Sequence, residues 1–375
     1  MVGLSRTASR VVFSPVGPPL SQAPFRPGHA LRGWSFRAIV TNMINLKNPS
    51  LDFALTAVQQ AALLAQEIQS EMVTPAITKD DRSPVTVADF AAQAVVGYYL
   101  ERRFPDLSLV GEENAAVLKT PEGQDSLDKI TGFVRRVVPG VSTQDVIDFI
   151  DRGRGDVRER YWTLDPIDGT KGFLRGDQYA AALAYVESGQ VQIGVLGCPN
   201  LSPQRLSDLD GQGSLLAAVR GEGSWMTVLE QSPADQVYRE VRVSAQADPA
   251  QARVLRSFES GHTNVSQIDR FQDALGGEAD PVRLDSQAKY ALLAAGEGEI
   301  YLRLLSEDRR DYREKIWDQA AGSVLVEEAG GVVTDLDGVA LDFSQGRRLS
   351  VNRGLCASNG ILHQKALQAL DEIGA

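Results

Sequence analysis

The sequence predicts an α+β layer followed by an α/β layer, and three observations carry that expectation. Before residue 230 the apolar runs form paired hairpins behind amphipathic helices; after residue 250 strand and helix patterns alternate. The 375-residue length also exceeds what one layered core needs, so two subdomains are expected.

The elements follow in chain order. Leu51, Leu55, Val58, Ala62 and Ala65 recur at steps of four and three, the stripe of an amphipathic helix. A second helix runs from Asp89 to Arg103 and is closed by Phe104-Pro105. Leu107 to Gly111 reads as a strand that ends in Glu112-Glu113. Residues 115–160 are polar, hold one helix (Leu127, Ile130, Val134, Val137) and read as an excursion from the core. Tyr161 to Leu164 is a buried strand, and Pro166-Ile167-Asp168-Gly169 reads as the turn that ends it. Two hairpins follow, 180–186 with 191–196 and 215–219 with 224–228, giving an antiparallel sheet. The linker falls in 229–238; beyond it come strands at 254–258, 300–304 and 332–335 and helices at 287–295 and 317–329. The expected domains are therefore a basic extension over 1–48, an α+β domain over 49–236 and an α/β domain over 237–375.

A net charge of −11 argues against a general nucleic-acid binder, and no apolar run is long enough to span a bilayer. Two cysteines, Cys198 and Cys356, are too few for a disulfide framework, and three histidines make a histidine-rich zinc site a poor fit. Before Asp52 the chain has no acid but six cations (Arg6, Arg10, Arg26, Arg32, Arg37, Lys47), without which the net charge would be −17. Arginine-rich, serine-containing and acid-free, this stretch reads as a mitochondrial transit peptide; a start at Met43 would give a cytoplasmic form instead.

The chemistry centres on Asp165-Pro166-Ile167-Asp168-Gly169-Thr170. Two aspartates three apart on a strand end suit hard divalent cations, with the Ile167 carbonyl as a third oxygen. The N–H groups of Gly169 and Thr170 could face an anion. The hexapeptide reads equally as a plain Asp-Gly turn. Other acids also sit at element ends: Asp89 and Asp318 at helix starts, where capping is their ordinary use, and Glu112-Glu113 after a strand.

Taken in order, Ser83-Pro84-Val85-Thr86 with Asp89, Val110-Gly111-Glu112-Glu113, Asp165 to Thr170, and Trp317-Asp318 with Ala320-Ala321-Gly322 resemble the lithium-sensitive, magnesium-dependent phosphatase superfamily of inositol monophosphatase and fructose-1,6-bisphosphatase. Lys171 to Gly176, Leu284 to Tyr290 and Tyr301 to Leu304 are similar to its 3′(2′),5′-bisphosphate nucleotidases of the fungal salt-tolerance type. The resemblance implies a layered α-β-α-β-α sandwich of the sugar phosphatase type. It implies Mg2+, two or three per site, on Glu112, Asp165, Asp168, Asp318 and the Ile167 carbonyl, with Glu113 behind them. Asp89 and Thr170 match a pair that positions and deprotonates the attacking water, and Gly169 and Thr170 match a phosphate cradle. His262, Ser286, Lys289 and Arg303 match residues that hold the nucleotide and its second phosphate. The partner it implies is a small phosphorylated nucleotide, not nucleic acid or a membrane, with a monomer slightly favoured. Removal of the 3′-phosphate of adenosine 3′,5′-bisphosphate is the expected activity, with an inositol polyphosphate 1-phosphatase or an idle nucleotide-binding sensor as the alternatives.

Overall fold

A computed structural model describes residues 44–72, 83–202, 212–230, 232–233, 237–257, 265–305 and 310–375. The N-terminal stretch that suggested a transit peptide, up to residue 43, and His262 lie outside them. From Asn42 to Ala375 the chain is one compact unit.

Helices α1 (Pro49–Met72) and α2 (Ser83–Arg103) lead into β1 (Ser108–Gly111), α3 (Gln124–Val137), α4 (Thr143–Asp151) and β2 (Arg160–Asp168). The short α5 (Thr170–Arg175) precedes β3 (Ala180–Glu187), β4 (Gln190–Cys198), β5 (Ser214–Val219), β6 (Gly223–Val228) and β7 (Arg239–Glu240). These strands form one seven-stranded sheet in sequence order. It is antiparallel as expected except at its edge, where β1 runs parallel to β2. That parallel pairing sends both strands to the same end of the sheet, which brings Glu112 beside the Asp165–Asp168 segment.

The second half adds β8 (Val254–Arg256), α6 (Val265–Leu275), β9 (Val282–Arg283), α7 (Ala288–Ala294), β10 (Ile300–Arg303), α8 (Ala320–Glu328), β11 (Val332–Thr334), β12 (Leu355–Ser358) and α9 (His363–Glu372). Its five strands order as β11-β12-β10-β8-β9.

Period-two alternation builds the layers. Leu164, Leu183 and Val195 bury one face of the first sheet against α1 and α2, while Ala182, Ala184 and Leu196 bury the other against α7 and α8. Tyr301 and Ala357 close that middle layer from the second sheet, whose far face (Ile300, Leu302, Cys356) packs on α6 and α9. The result is the expected α-β-α-β-α order. Small residues let the middle layer close: a Cβ on Gly194 would meet the Ala321 carbonyl oxygen of α8 at 2.5 Å. Cys198 and Cys356 are buried and unpaired, and no helix among the described residues is long and apolar enough to cross a membrane.

Three expectations need correction. The second helix begins at Ser83, so Asp89 lies inside α2 and not at a helix start. Residues 115–160 carry a second helix, α4, and are not an excursion: Ile130, Val134, Val146 and Ile150 are fully buried in the same core as α1 and α2. The strand at Tyr161 does not end at Leu164 either. It continues to Asp168 through a bulge, in which Asp165 pairs with Ala182 and Asp168 with Ala180. Pro166 has no N–H for the ladder, so the extra residue falls where pairing is interrupted anyway.

Candidate active site

The bulge sets the first arm. The Asp165 carboxylate accepts the Ile167 N–H at 3.1 Å, which curls the backbone before Gly169 turns it at φ 94° into α5. Only glycine fits comfortably there: the conformation is left-handed, and a Cβ would lie 2.7 Å from that of Ser286. The β2 end and the Ser286 segment therefore touch.

The second arm is the β1 end. The Glu112 N–H donates to the Leu164 carbonyl at 3.2 Å. The buried Gln93 amide of α2 donates to the Glu113 carbonyl at 2.7 Å and to that of Ile150 at 2.7 Å, and accepts the Glu113 N–H at 3.1 Å. Arg347 ties this arm to the next. Its guanidinium donates to the Gly111 carbonyl and stacks 4.8 Å from the centre of the Trp317 ring, the residue before Asp318.

The third arm is Leu284 to Lys289. Ser286 holds a left-handed backbone, φ 65°, a strained state for a non-glycine residue that recurs at ligand sites. The next N–H, that of Gln287, donates to the Asp168 carboxylate. Lys289 is 2% exposed; its ammonium donates to Ser257 Oγ and the Leu284 carbonyl, both at 3.2 Å, and lies 5.2 Å from the Tyr301 ring centre.

One cavity gathers these arms. Glu112, Asp165, Ile167, Asp168 and Asp318 line it together with Gly169, Thr170, Ser286, Lys289 and Arg303. Asp89 is not on the lining; it is buried close behind, where its charge is felt by Asp165. Eleven of the twelve sequence-derived positions thus fall in one neighbourhood, and the twelfth, His262, is outside the described residues.

The electrostatics are those of crowded acids. Burial, then the charges of Glu112, Asp168, Asp318 and Asp89, pushes the Asp165 carboxyl well above the usual range. Burial and Asp168 do the same to Asp318, against Arg303. Glu112 stays exposed at the rim, yet the surrounding protein and the Glu113 and Asp168 charges hold it up to about 7. The Glu112 and Asp165 carboxyls are near enough to influence each other's ionisation. Among the described residues the acids line a common wall but are not drawn into a closed cage around one point. An all-oxygen donor set with mutual repulsion fits hard cations such as magnesium, which would convert that repulsion into attraction.

Several lining or supporting residues escaped the sequence reading. Tyr301 and Asp285 lie inside quoted stretches but carry no motif of their own. Glu314 pairs with Arg303, and its nearness to Trp317-Asp318 was the available signal. Gln287, an uncharged amide, carries no such signal.

Comparison with known proteins settles what such a constellation belongs to. A profile of the inositol monophosphatase family matches residues 47–375. The chain belongs to the inositol monophosphatase family. A 3′(2′),5′-bisphosphate nucleotidase of Oryza sativa is 40% identical over 338 residues, 85% of this chain and 92% of that protein. The 3′(2′),5′-bisphosphate nucleotidase 2 of Candida albicans is 37% identical over 348 residues, 86% of this chain and 96% of its own. Among solved structures, Thermotoga maritima IMPase matches with a TM-score of 0.58 at 21% identity, over 87% of this chain and 98% of that one. That match concerns the fold, and it bears out the layered sandwich. Magnesium dependence is general in the inositol monophosphatase family, in keeping with the donor set here.

Proposed function

We propose that this chain is a magnesium-dependent 3′(2′),5′-bisphosphate nucleotidase. It takes the 3′-phosphate from adenosine 3′,5′-bisphosphate, giving AMP and phosphate, and acts on 3′-phosphoadenylyl sulfate as a second substrate. The observation that carries this reading is the mixed charge of the cavity: carboxylates from the ends of β1 and β2 and from the entry to α8, and two cations, the buried Lys289 of α7 and the half-buried Arg303 of β10. A ligand with two phosphates, one attacked and one held, matches both groups. The names of the plant and fungal relatives support the same choice.

Two or three Mg2+ bound by Glu112, Asp165, Asp168, Asp318 and the Ile167 carbonyl would neutralise the attacked phosphate and acidify the water. The protein's own residues do the rest. Gly169 and Thr170 hold the 3′-phosphate by N–H groups, and Thr170 with Asp89 orients the attacking water. Burial, then the Glu112 and Glu113 charges, raises the proton affinity of Asp89 above the usual carboxylate range. The water oxygen bonds to phosphorus, the bond to the 3′-oxygen breaks, and that oxygen leaves on AMP and takes a proton. Ser286, Lys289 and Arg303 hold the nucleotide and its 5′-phosphate, with His262 as a further contact.

Phosphate release should be measured on adenosine 3′,5′-bisphosphate, 3′-phosphoadenylyl sulfate and inositol 1,4-bisphosphate across a magnesium titration. Preference for the inositol ester would replace this reading with a polyphosphate 1-phosphatase, and binding without turnover would make the chain a sensor. Its arginine-rich, acid-free N-terminal stretch supports delivery to mitochondria, and fractionation of cells expressing full-length and Met43-started forms tests that.

A further inference from the structure

We propose that Gln287 is a positioning residue that clasps the Asp168 and Asp318 arms together and couples cation binding to nucleotide binding. The inference rests on the nucleotidase reading above. Gln287 is 1% exposed and makes three bonds into the site. Its backbone N–H donates to the Asp168 carboxylate. Its side-chain Nε2 donates to the Trp317 carbonyl at 3.0 Å, on the peptide group that leads into Asp318. Its Oε1 accepts the Gly322 N–H at 3.2 Å.

The last bond is informative. Gly322 is in the first turn of α8, where N–H groups have no partner within the helix. Gln287 therefore satisfies a polar group on each side of Asp318 and fixes the turn that carries that carboxylate. A head group with both a donor and an acceptor is required: ionised glutamate has no donor and lysine no acceptor. Ser286, a substrate contact in the proposed reaction, is the preceding residue and holds a strained left-handed backbone. A nucleotide that settles Ser286 thereby settles the N–H on Asp168 and the amide on the Asp318 turn. By reciprocity, cations that order those acids should tighten the nucleotide.

Side-chain substitution separates the two halves of the clasp, because the backbone bond to Asp168 survives it. Gln287→Met keeps length and volume but loses both side-chain bonds. Gln287→Glu keeps the acceptor for Gly322 and, at a pH high enough to ionise it, sets an oxygen against the Trp317 carbonyl. Mn2+ binding would be followed by electron spin resonance with and without AMP, alongside the melting midpoint and phosphate release. In wild type AMP should tighten Mn2+. Both variants should bind Mn2+ about tenfold more weakly or worse, as losses of residues that orient ligands do. The AMP increment should vanish in both, at a melting midpoint that shows a folded protein. If Gln287→Met fails to fold, Gln287→Glu decides by the same two readouts. Variants that bind Mn2+ like wild type with the AMP increment intact overturn the clasp while leaving the activity standing. A wild type that binds no Mn2+ and releases no phosphate from adenosine 3′,5′-bisphosphate overturns the activity, and the clasp with it.

Discussion

Arg303 donates Nε and Nη2 to the Glu314 carboxylate, at 3.3 and 2.9 Å. One long edge of the guanidinium is thus committed within the protein. Glu314 also accepts from Gln319 Nε2 at 2.9 Å, and Gln319 accepts from the Tyr290 hydroxyl at 2.6 Å, so the arginine is held by a buried relay. Arg303 also lines the cavity, with the same Nη2 4.0 Å from Asp318. Arg303 can therefore meet a phosphate end-on while staying close to an acid of the metal side.

Arg303→Ala should lower kcat/KM for adenosine 3′,5′-bisphosphate by about 10- to 100-fold, the range for one lost hydrogen bond to a charged group. Turnover of inositol 1,4-bisphosphate should fall much less. Lysine should not restore the loss, since it cannot bridge Glu314 and a phosphate with a planar fork. Equal losses on both substrates would remove Arg303 from specificity.

Asp165→Asn should cut turnover by more than about a hundredfold, beyond what residues supporting a ligand cost, through weakened magnesium binding. The fold should persist. Asp165 is 3% exposed among four other acids, so removing its charge relieves repulsion in the metal-free protein. The metal-free melting midpoint should stay level or rise, while the midpoint gain on adding magnesium shrinks. Near-normal activity at saturating magnesium would take Asp165 out of the ligand set.

What the sequence revealed and concealed has a physical pattern. The metal side was legible because each acid follows an apolar strand or opens a helix, so type and position could be read together. The β2 bulge was hidden because Pro166-Ile167-Asp168-Gly169 has the composition of a turn, and pairing past a proline depends on β3. Gln287 was hidden because its task is to join Trp317 and Gly322, thirty residues and more along the chain. The helix α4 was missed for a local reason. It has nine residues, too few for a periodic stripe to stand out, yet Ser142 and Asp145 form a reciprocal capping box that marks its start.

Since α4 belongs to the core, truncating it should be costly. Ile150 is fully buried in the cluster shared with α1 and α2, and its carbonyl accepts from Gln93, which also holds Glu113. Ile150→Ala should destabilise the protein by about 2–5 kcal/mol. Denaturant unfolding measures it. A loss below 1 kcal/mol would return the 115–160 segment to the status of an appendage.

The cation that faces the second phosphate should make binding depend on pH in a defined direction. Burial pushes the Lys289 ammonium down from 10.5 to about 8, although Asp168 favours the charged form. Only the ammonium grips phosphate, so binding is complete below about 8 and weakens as pH rises through that value. For the free enzyme, kcat/KM on adenosine 3′,5′-bisphosphate should therefore fall above this point, approaching tenfold per pH unit. Lys289→Met should lower kcat/KM at pH 7 and remove the inflection, whereas Lys289→Arg should remove the inflection while keeping charge. A profile that falls identically in wild type and Lys289→Met would assign the proton to another group, and an unchanged kcat/KM at pH 7 in that variant would leave Lys289 without a part in holding the substrate.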